Sequence, residues 1–366
     1  MDPSAQGLQA GIPVKVLEDL KVSCLSVGIG ISLDALALLA DEGPLTIHEY
    51  PTTGGMTLEL PQRVYVNAPF DEWFCRDAEA ELVTRDGDFA VEFRGSTVPV
   101  VRVLPLPGYL DGTDSEGRAV TDVVMSHADR VRLSPFIGCA YDCSFCDLGT
   151  MEYRARPLDQ ILEALDIAAR DQALPPRHVL ISGGSPRRPH YDLFEEICLG
   201  VVAATPMEVD VMMSPMIDNL GFLDRMAEAG LHGLAINIEL FSAEASIEHL
   251  APKYKSTRAA FDEFVGHAVE VFPPGRIRSL IIPGLESAKE TLDGVAHLAS
   301  LGCDPTLSPF RPARGIALER RPPPGAGLLA EMLQRSREIV QDHDVVLGPR
   351  CVPCQHNTLT FPWDVE

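Results

Sequence analysis

The sequence has few positive charges. Its 366 residues include 30 Lys and Arg against 53 Asp and Glu, which gives a formal net charge of −23. A surface this acidic repels phosphate backbones and anionic headgroups, so we expect neither a nucleic-acid nor a membrane partner. The negative charge would also keep the protein soluble, which explains it without any role in recognition.

Long apolar runs are also missing. The run from Leu25 to Ala40 is interrupted by Asp34 and is too short to span a bilayer, so we expect a buried helix there. The segment Met1-Asp-Pro-Ser lacks the charged-then-apolar pattern of a secretory signal. Nine unevenly spaced cysteines do not suggest a disulfide framework. They predict metal-binding thiols in a reducing cytoplasm.

Three of the cysteines occur within eight residues, Cys139-Ala-Tyr-Asp-Cys143-Ser-Phe-Cys146. Thiolates are the usual ligands of iron–sulfur clusters, and a cubane cluster normally takes four. A loop with three cysteines can bind three irons and leave the fourth iron open to another ligand. Zinc sites usually pair two CxxC elements or add histidines, and no histidine lies near this loop in the sequence. A zinc site or a chance grouping is therefore the weaker interpretation.

The loop resembles the signature of the radical S-adenosylmethionine (SAM) superfamily, CxxxCxΦC, with Phe145 at the aromatic position. The resemblance implies that Cys139, Cys143 and Cys146 bind a [4Fe–4S] cluster whose open iron is chelated by SAM. One electron from the cluster then cleaves SAM to a 5′-deoxyadenosyl radical, which abstracts hydrogen from a small-molecule substrate. It also implies a ferredoxin- or flavodoxin-type reductant as a partner.

The sequence from about residue 128 onward predicts six strand–helix units. The predicted strands are 130–134, 178–182, 208–213, 233–239, 277–282 and 304–308, and the predicted helices are 157–170, 191–203, 218–229, 256–270, 287–301 and 326–341. This alternation predicts an α/β fold, a partial (βα)6 barrel of the TIM type. Chemistry in such barrels lies at the carboxyl ends of the strands, which is where the cysteine loop falls. The radical SAM superfamily uses the same partial barrel.

Residues 1–120 are expected to form a separate α+β region. One or two helices are predicted within 12–39, and strands at 45–50, 57–60, 64–66, 80–83, 89–93 and 98–103. We find no phosphate-binding loop, repeat or cobalamin-binding signature in this region. The barrel over 128–345 and a cysteine-bearing tail over 346–366 complete the expected domains.

Two strand ends are similar to SAM-binding elements of biotin synthase-related proteins. Ser182-Gly183-Gly184-Ser185 resembles the family's GGE motif, with Ser185 in place of the acid. A tight turn is the alternative explanation. Asn237 and Glu239, expected on one face by strand alternation, resemble a ribose-binding Asn-x-acid pattern. A polar pair that holds a loop is the alternative there.

Three further positions are candidates by the same resemblance. Arg258 begins a helix and is the expected partner of the methionine carboxylate, with Lys253 and Lys255 as alternatives. Ile282 matches a position that packs against adenine. Arg311, after the sixth strand, is a candidate for binding a carboxylate of the substrate or of methionine.

A second cysteine pair, Cys351 and Cys354, lies in the tail beside His356. An extended segment after the sixth helix is expected to bring the pair to the active end of the barrel. It could bind a second iron–sulfur cluster, completed by Cys24, Cys75 or a substrate atom, whereas zinc, a redox dithiol and inert thiols are the alternatives. A second cluster would suit sulfur insertion or oxidation, and its absence would suit rearrangement or epimerisation. A non-catalytic, zinc-stabilised protein is the alternative from another functional class.

Overall fold

The computed structural model describes residues 11–40, 54–250 and 258–366. Within these ranges, the N-terminal region combines helices with two small sheets. Its elements are α1 (Val14–Val27), β1 (Gly30–Ile31), α2 (Leu33–Ala40), β2 (Met56–Leu60), β3 (Val64–Ala68), β4 (Ala80–Arg85), β5 (Asp88–Phe93), β6 (Ser96–Pro99) and β7 (Arg102–Val103). One sheet has the order β1-β4-β5-β6 and the other β3-β2-β7. The strand predicted at 45–50 lies outside the described residues.

The following part of the chain is built around a larger sheet. The strands of that sheet are β8 (Val124–His127), β9 (Arg130–Leu133), β12 (His178–Ile181), β13 (Glu208–Met213), β14 (Gly233–Ile236), β15 (Ile277–Ile281) and β16 (Asp304–Leu307). Two short strands, β10 (Phe136–Ile137) and β11 (Arg154–Ala155), form a separate pair. The helices are α3 (Leu158–Ala169), α4 (Tyr191–Ala204), α5 (Gly221–Glu228), α6 (Ala243–Leu250), α7 (Arg258–Val271), α8 (Ala288–Ser300) and α9 (Ala326–Val340). Within the described ranges, no helix has the length and apolar character that crossing a bilayer requires.

The sheet order confirms the predicted partial (βα)6 barrel. Seven strands pair in the order β16-β15-β14-β13-β12-β9-β8, and every neighbouring pair except β8 with β9 is parallel. The six parallel strands coincide with the six predicted ones. The antiparallel edge strand β8 was not predicted, because Ala128 makes the turn after it with φ 55 and without the glycine or asparagine typical of such turns. Helix α6 was not predicted either.

The C-terminal tail joins the barrel to the N-terminal helix. Lys21 of α1 is fully buried, and its ammonium donates hydrogen bonds to the carbonyls of Gln355 (2.8 Å) and Thr360 (2.5 Å). Helix α1 also packs against α9, whose Arg337 lies 2.7 Å from the carboxylate of Asp364. The last residues of the chain are therefore held by α1 and α9.

The buried Lys21 predicts a pH dependence of stability. Burial lowers the pKa of this ammonium from 10.5 to about 7. As the pH falls from about 10 to about 7, the unfolded chain takes up a proton at Lys21 that the folded chain does not. The free energy of unfolding therefore decreases as the pH falls through this window. We expect Lys21→Met to flatten this part of the profile in denaturant titrations at several pH values.

Lys15 provides the matched control, because it lies on the same helix with 71% of its side chain exposed. The variant Lys15→Met should keep the wild-type slope between pH 7 and 10. Parallel profiles for wild type and Lys21→Met would contradict this account of the buried ammonium.

Candidate active site

The cysteine loop leaves the barrel at the carboxyl end of β9. Cys139, Cys143 and Cys146 are half-buried there, and none of the three is in a disulfide. Among the described residues, these sulfurs do not form a group within 4.8 Å of one another, as ligands of a single ion would. Wider spacing suits a cluster, whose thiolates bind different irons. Burial raises the pKa of the Cys146 thiol to about 12, so a metal has to displace its proton.

The glycine pair after β12 supports this loop directly. The N–H of Ser185 donates to the sulfur of Cys139 at 3.2 Å, and the N–H of Ala140 donates to the carbonyl of Ser185 at 3.0 Å. A β-carbon on Gly184 would lie 1.7 Å from the carbonyl oxygen of Gly138. Only glycine allows the two loops to approach this closely. From the sequence, this segment was predicted to be either a SAM-binding motif or a tight turn. Packing against the cysteine loop was not predicted.

A cavity of about 180 Å³, here called the upper cavity, opens beside the loop. The candidate site residues that line it are Phe145, Cys146, Ser182, Gly183, Glu239, Ile282 and Arg311, and its other residues are Leu148, Met212, Leu280, Ser308, Pro309 and Phe310. Its wall thus contains a thiol, a carboxylate and several apolar side chains. This mixture suits a ligand with both polar and apolar parts.

Glu239 reaches the upper cavity through an irregularity after β14. The register of this segment with β15 shifts by one residue before Glu239 pairs with Ile281. The amide oxygen of Asn237 accepts the N–H of Leu280 at 3.2 Å, a bond that a backbone carbonyl makes in a regular ladder. Glu239 itself has φ 64, which is unusual for a residue with a side chain. The expected alternation of side chains along a regular strand is therefore interrupted between Asn237 and Glu239. Asn237 does not line the upper cavity with Glu239 but lines a deeper one.

The two arginines expected to bind carboxylates already have protein partners. Arg311 donates from Nη1 to the side-chain oxygen of Asn67 (2.7 Å) and from Nη2 to its carbonyl (3.1 Å), and burial lowers its pKa to about 10. Arg258 donates to the carbonyl of Phe241 at 3.0 Å and lies over its ring. Arg311 borders the upper cavity, whereas Arg258 does not. Lys253 and Lys255, the alternatives to Arg258, lie outside the described residues.

A histidine lies beside the cysteine loop in space, although none does in the sequence. His249 is buried at the end of α6, and its Nδ1 is 2.8 Å from the hydroxyl of Ser144. Its carbonyl also accepts the N–H of Ser144 at 3.1 Å. The imidazole thus holds the middle of the loop through a serine that stands between two cysteines.

The tail cysteines lie at the opposite end of the barrel. The sulfur of Cys354 is 3.2 Å from Nε2 of His178, the first residue of β12. The sulfur of Cys351 is 3.9 Å from the carboxylate of Asp129, which directly precedes β9. The prediction that this pair reaches the active end is therefore wrong. Asp129 and His178, rather than Cys24 or Cys75, complete the donor group around it.

The path of the tail explains this position. After α9, the N–H of Gly348 bonds to the carbonyl of Pro305 near the beginning of β16. The chain then crosses the amino ends of the strands, and the two cysteines belong to this crossing. Only afterwards does it reach the other end of β16, where the N–H of Leu359 bonds to the carbonyl of Leu307. The extended return that was expected before the cysteines comes after them.

A second cavity of about 200 Å³, here called the lower cavity, occupies the barrel interior. Its base is lined by charged and metal-ligating side chains, namely Arg130, His178, Glu208, Asp210, His232, Arg276, Arg278, Asp304, Arg350, Cys351 and Cys354. It shares Ser182, Met212, Leu280 and Ser308 with the upper cavity. Although burial raises the pKa of Asp210, Arg278 at 2.7 Å and His232 at 2.8 Å hold it well below its usual range.

Comparison with known proteins identifies the domain that carries this site. A model of the radical SAM superfamily matches residues 133–308, from the last residue of β9 to the residue after β16. Residues 133–308 are a radical SAM domain. Domains of this superfamily use a [4Fe–4S] cluster and SAM. No curated protein matched the sequence.

The chain is also similar to several solved structures. Methylornithine synthase (PylB) is 17% identical with a TM-score of 0.47, over 63% of this chain and 72% of that chain. The FeFe-hydrogenase maturase HydG from Carboxydothermus hydrogenoformans is 16% identical with a TM-score of 0.49, over 62% and 55%. A radical SAM methyltransferase from Sphaerobacter thermophilus is 17% identical with a TM-score of 0.45, over 72% and 74%. The relationship to biotin synthase stays a prediction.

The contact between the two glycine-containing loops predicts the effect of one added methyl group. In Gly184→Ala, the new β-carbon would displace the carbonyl of Gly138 and with it the first cysteine of the radical SAM domain. We expect the variant to lose most of its iron after anaerobic reconstitution and to unfold at a lower temperature. Iron quantification and thermal unfolding measure the two effects.

Gly266→Ala is the matched control, because a β-carbon there meets nothing within 4 Å and the residue lies within α7. Alanine favours a helix over glycine by about 1 kcal/mol, so this variant should load iron normally and be at least as stable. Full iron loading in Gly184→Ala would contradict the packing argument.

Proposed function

We propose that this protein is a radical SAM enzyme whose cluster is bound by Cys139, Cys143 and Cys146 and whose SAM occupies the upper cavity. The observation that carries the proposal is that Cys146 lies in the wall of that cavity at the carboxyl end of the barrel. When bound, the reduced cluster supplies the electron that cleaves SAM to a 5′-deoxyadenosyl radical. The protein's own task is to orient both cofactors and to exclude water.

The backbone around Cys139 donates two hydrogen bonds to its sulfur. Its sulfur accepts N–H bonds from Tyr141 (3.4 Å) and from Ser185 (3.2 Å). Hydrogen bonds to a ligating sulfur stabilise its negative charge and tune the potential of the metal. Ser185 thereby takes part in the site through its backbone and not as a substitute for the missing acid.

Four groups of the upper cavity would position SAM. Phe145 and Ile282 supply apolar surface for the adenine, whereas Ser182 supplies a hydroxyl for the amino acid portion. Glu239 supplies a carboxylate for the ribose hydroxyls. A left-handed backbone at a residue with a side chain costs about 1–3 kcal/mol, and such strain concentrates at functional sites. The strained conformation of Glu239 is therefore support for its role.

The other candidates act by holding these groups in place. Asn237 completes the hydrogen-bond ladder with β15 that orients Glu239. Arg258 holds the segment after Glu239 through its hydrogen bond to the carbonyl of Phe241. Arg311 ties the strand end beside the cavity to Asn67 of the N-terminal region. We assign none of these three a direct contact with the methionine carboxylate.

The lower cavity is the proposed place of the substrate. It adjoins the upper cavity through shared wall residues, so a molecule inside it lies next to the SAM site. Its charged base suits a small polar molecule, from which hydrogen is abstracted. The electron would come from a ferredoxin- or flavodoxin-type protein. Since the tail cysteines lie far from the cysteine loop, the arrangement supports rearrangement or epimerisation over sulfur insertion.

The decisive test is anaerobic reconstitution followed by reduction in the presence of SAM. Wild type should bind about four irons per chain and release 5′-deoxyadenosine. Cys139→Ala/Cys143→Ala/Cys146→Ala should lose both properties. Cys198→Ala, which removes a buried thiol of α4, should keep them. SAM cleavage by the triple variant, or none by iron-loaded wild type, would refute the proposed function.

Glu239 provides a second, more specific prediction. A hydrogen bond to a charged group contributes about 1.5–3 kcal/mol, so Glu239→Gln should raise the KM for SAM about 10- to 100-fold. Iron content should stay at the wild-type level, since Glu239 is not a cluster ligand. Glu270→Gln is the matched control, because this side chain is 80% exposed and lines neither cavity. An unchanged KM in Glu239→Gln would remove Glu239 from the SAM site.

A further inference from the structure

We propose that Asp129, His178, Cys351 and Cys354 form a zinc site that fastens the C-terminal tail to the base of the barrel. One donor atom from each of the four side chains lies within 4.8 Å of the other three. This site is separate from the proposed radical SAM chemistry, since it lies at the amino ends of β9 and β12. Its existence does not depend on SAM cleavage.

The donor separations fit a single ion rather than a cluster. A tetrahedral zinc with Zn–S of about 2.3 Å and Zn–N of about 2.0–2.1 Å places neighbouring donors about 3.3–3.8 Å apart. The sulfur of Cys354 lies 3.2 Å from Nε2 of His178, and the sulfur of Cys351 lies 3.9 Å from Oδ1 of Asp129. Both distances are close to those separations. An iron–sulfur cluster would instead need its thiolates spread over different irons.

The donor types favour zinc over other ions. Two thiolates exclude the hard cations Mg²⁺ and Ca²⁺, which bind oxygen. Tetrahedral sulfur and nitrogen ligands are typical of structural zinc, which also accepts a carboxylate oxygen, and the Cys-x-x-Cys spacing is a usual element of such sites. Zn²⁺ also binds such sites more strongly than Fe²⁺. Four protein ligands leave no open position, so the site is structural and not catalytic.

The surroundings orient the ligands. Arg177 donates from Nε to Oδ2 of Asp129 at 3.0 Å, which leaves Oδ1 directed towards the thiols. The backbone of Arg177 also donates to the carbonyl of Asp129 at 2.8 Å. In the tail, the N–H of Cys354 bonds to the carbonyl of Cys351 at 3.1 Å, a turn that brings both sulfurs to one side. Such outer contacts are characteristic of metal sites in proteins.

The position of the site gives it a structural task. The tail is hydrogen-bonded to β16, at one edge of the barrel sheet, through Gly348 and Leu359. Asp129 directly precedes β9 and His178 begins β12, and both strands lie near the other edge. A shared ion would connect these two parts across the base. Because the tail lines the lower cavity, the same ion would fix the floor of the proposed substrate site.

The test is metal quantification on the full chain, produced with both iron and zinc in the medium. We expect about one zinc per chain in wild type and in Cys139→Ser/Cys143→Ser/Cys146→Ser. Cys351→Ser/Cys354→Ser should lose the zinc, whereas Cys198→Ser/Cys303→Ser, which alters buried thiols elsewhere, should keep it. Wild type without zinc, or zinc retained in Cys351→Ser/Cys354→Ser, would overturn the proposal. So would about eight irons per chain, which would mean a second cluster.

A milder variant guards against misfolding of the double cysteine variant. Asp129→Asn keeps the size of the side chain but weakens the ligand, and we expect at least about a tenfold loss of zinc affinity in competition with a chelator. Wild type loaded with Co²⁺ should show the thiolate charge-transfer absorption of a tetrahedral site. Unchanged affinity in Asp129→Asn, or Co²⁺ without that absorption, would contradict the four-ligand site. Neither measurement uses SAM, so its result is independent of the proposed enzymatic function.

Discussion

The candidate active site depends on one contact between two backbones, the approach of Gly184 to the carbonyl of Gly138. It brings the loop after β12 against the beginning of the cysteine loop, and it allows the N–H of Ser185 to reach the sulfur of Cys139. Without such support, cluster binding would have to order the loop of three cysteines, and each ordered residue would lose conformational entropy. Here the barrel provides the order in advance, because both loops begin at the ends of neighbouring parallel strands.

What could be predicted from the sequence was what local patterns encode. The alternation of apolar strands and amphipathic helices predicted the six parallel strands, and the spacing of the cysteines predicted the place of the loop. The bulge at Asn237 could not be predicted, because a side-chain amide there replaces a backbone acceptor. The group around Cys351 and Cys354 was missed for another reason. Its partners Asp129 and His178 are more than a hundred residues away, and only the path of the tail brings them together.

The two ends of the barrel have different physical characters. The carboxyl end holds half-buried thiols at wider spacing beside an open, mostly apolar cavity. The amino end holds a compact group of donors among ion pairs such as Asp304 with Arg350. The interior cavity lies between them and borders both. The nine cysteines therefore divide by position into three at the carboxyl end, two at the amino end and four buried elsewhere, which are Cys24, Cys75, Cys198 and Cys303.

The buried Lys21 also has a consequence for synthesis of the chain. Its hydrogen-bond acceptors come 334 and 339 residues later in the sequence. At about 5–20 residues per second, a ribosome needs on the order of 20–70 s to make that distance. During this time helix α1 carries a lysine that has to stay in water, since its carbonyl partners do not yet exist. The N-terminal region can therefore complete its packing only after the ribosome has released the tail.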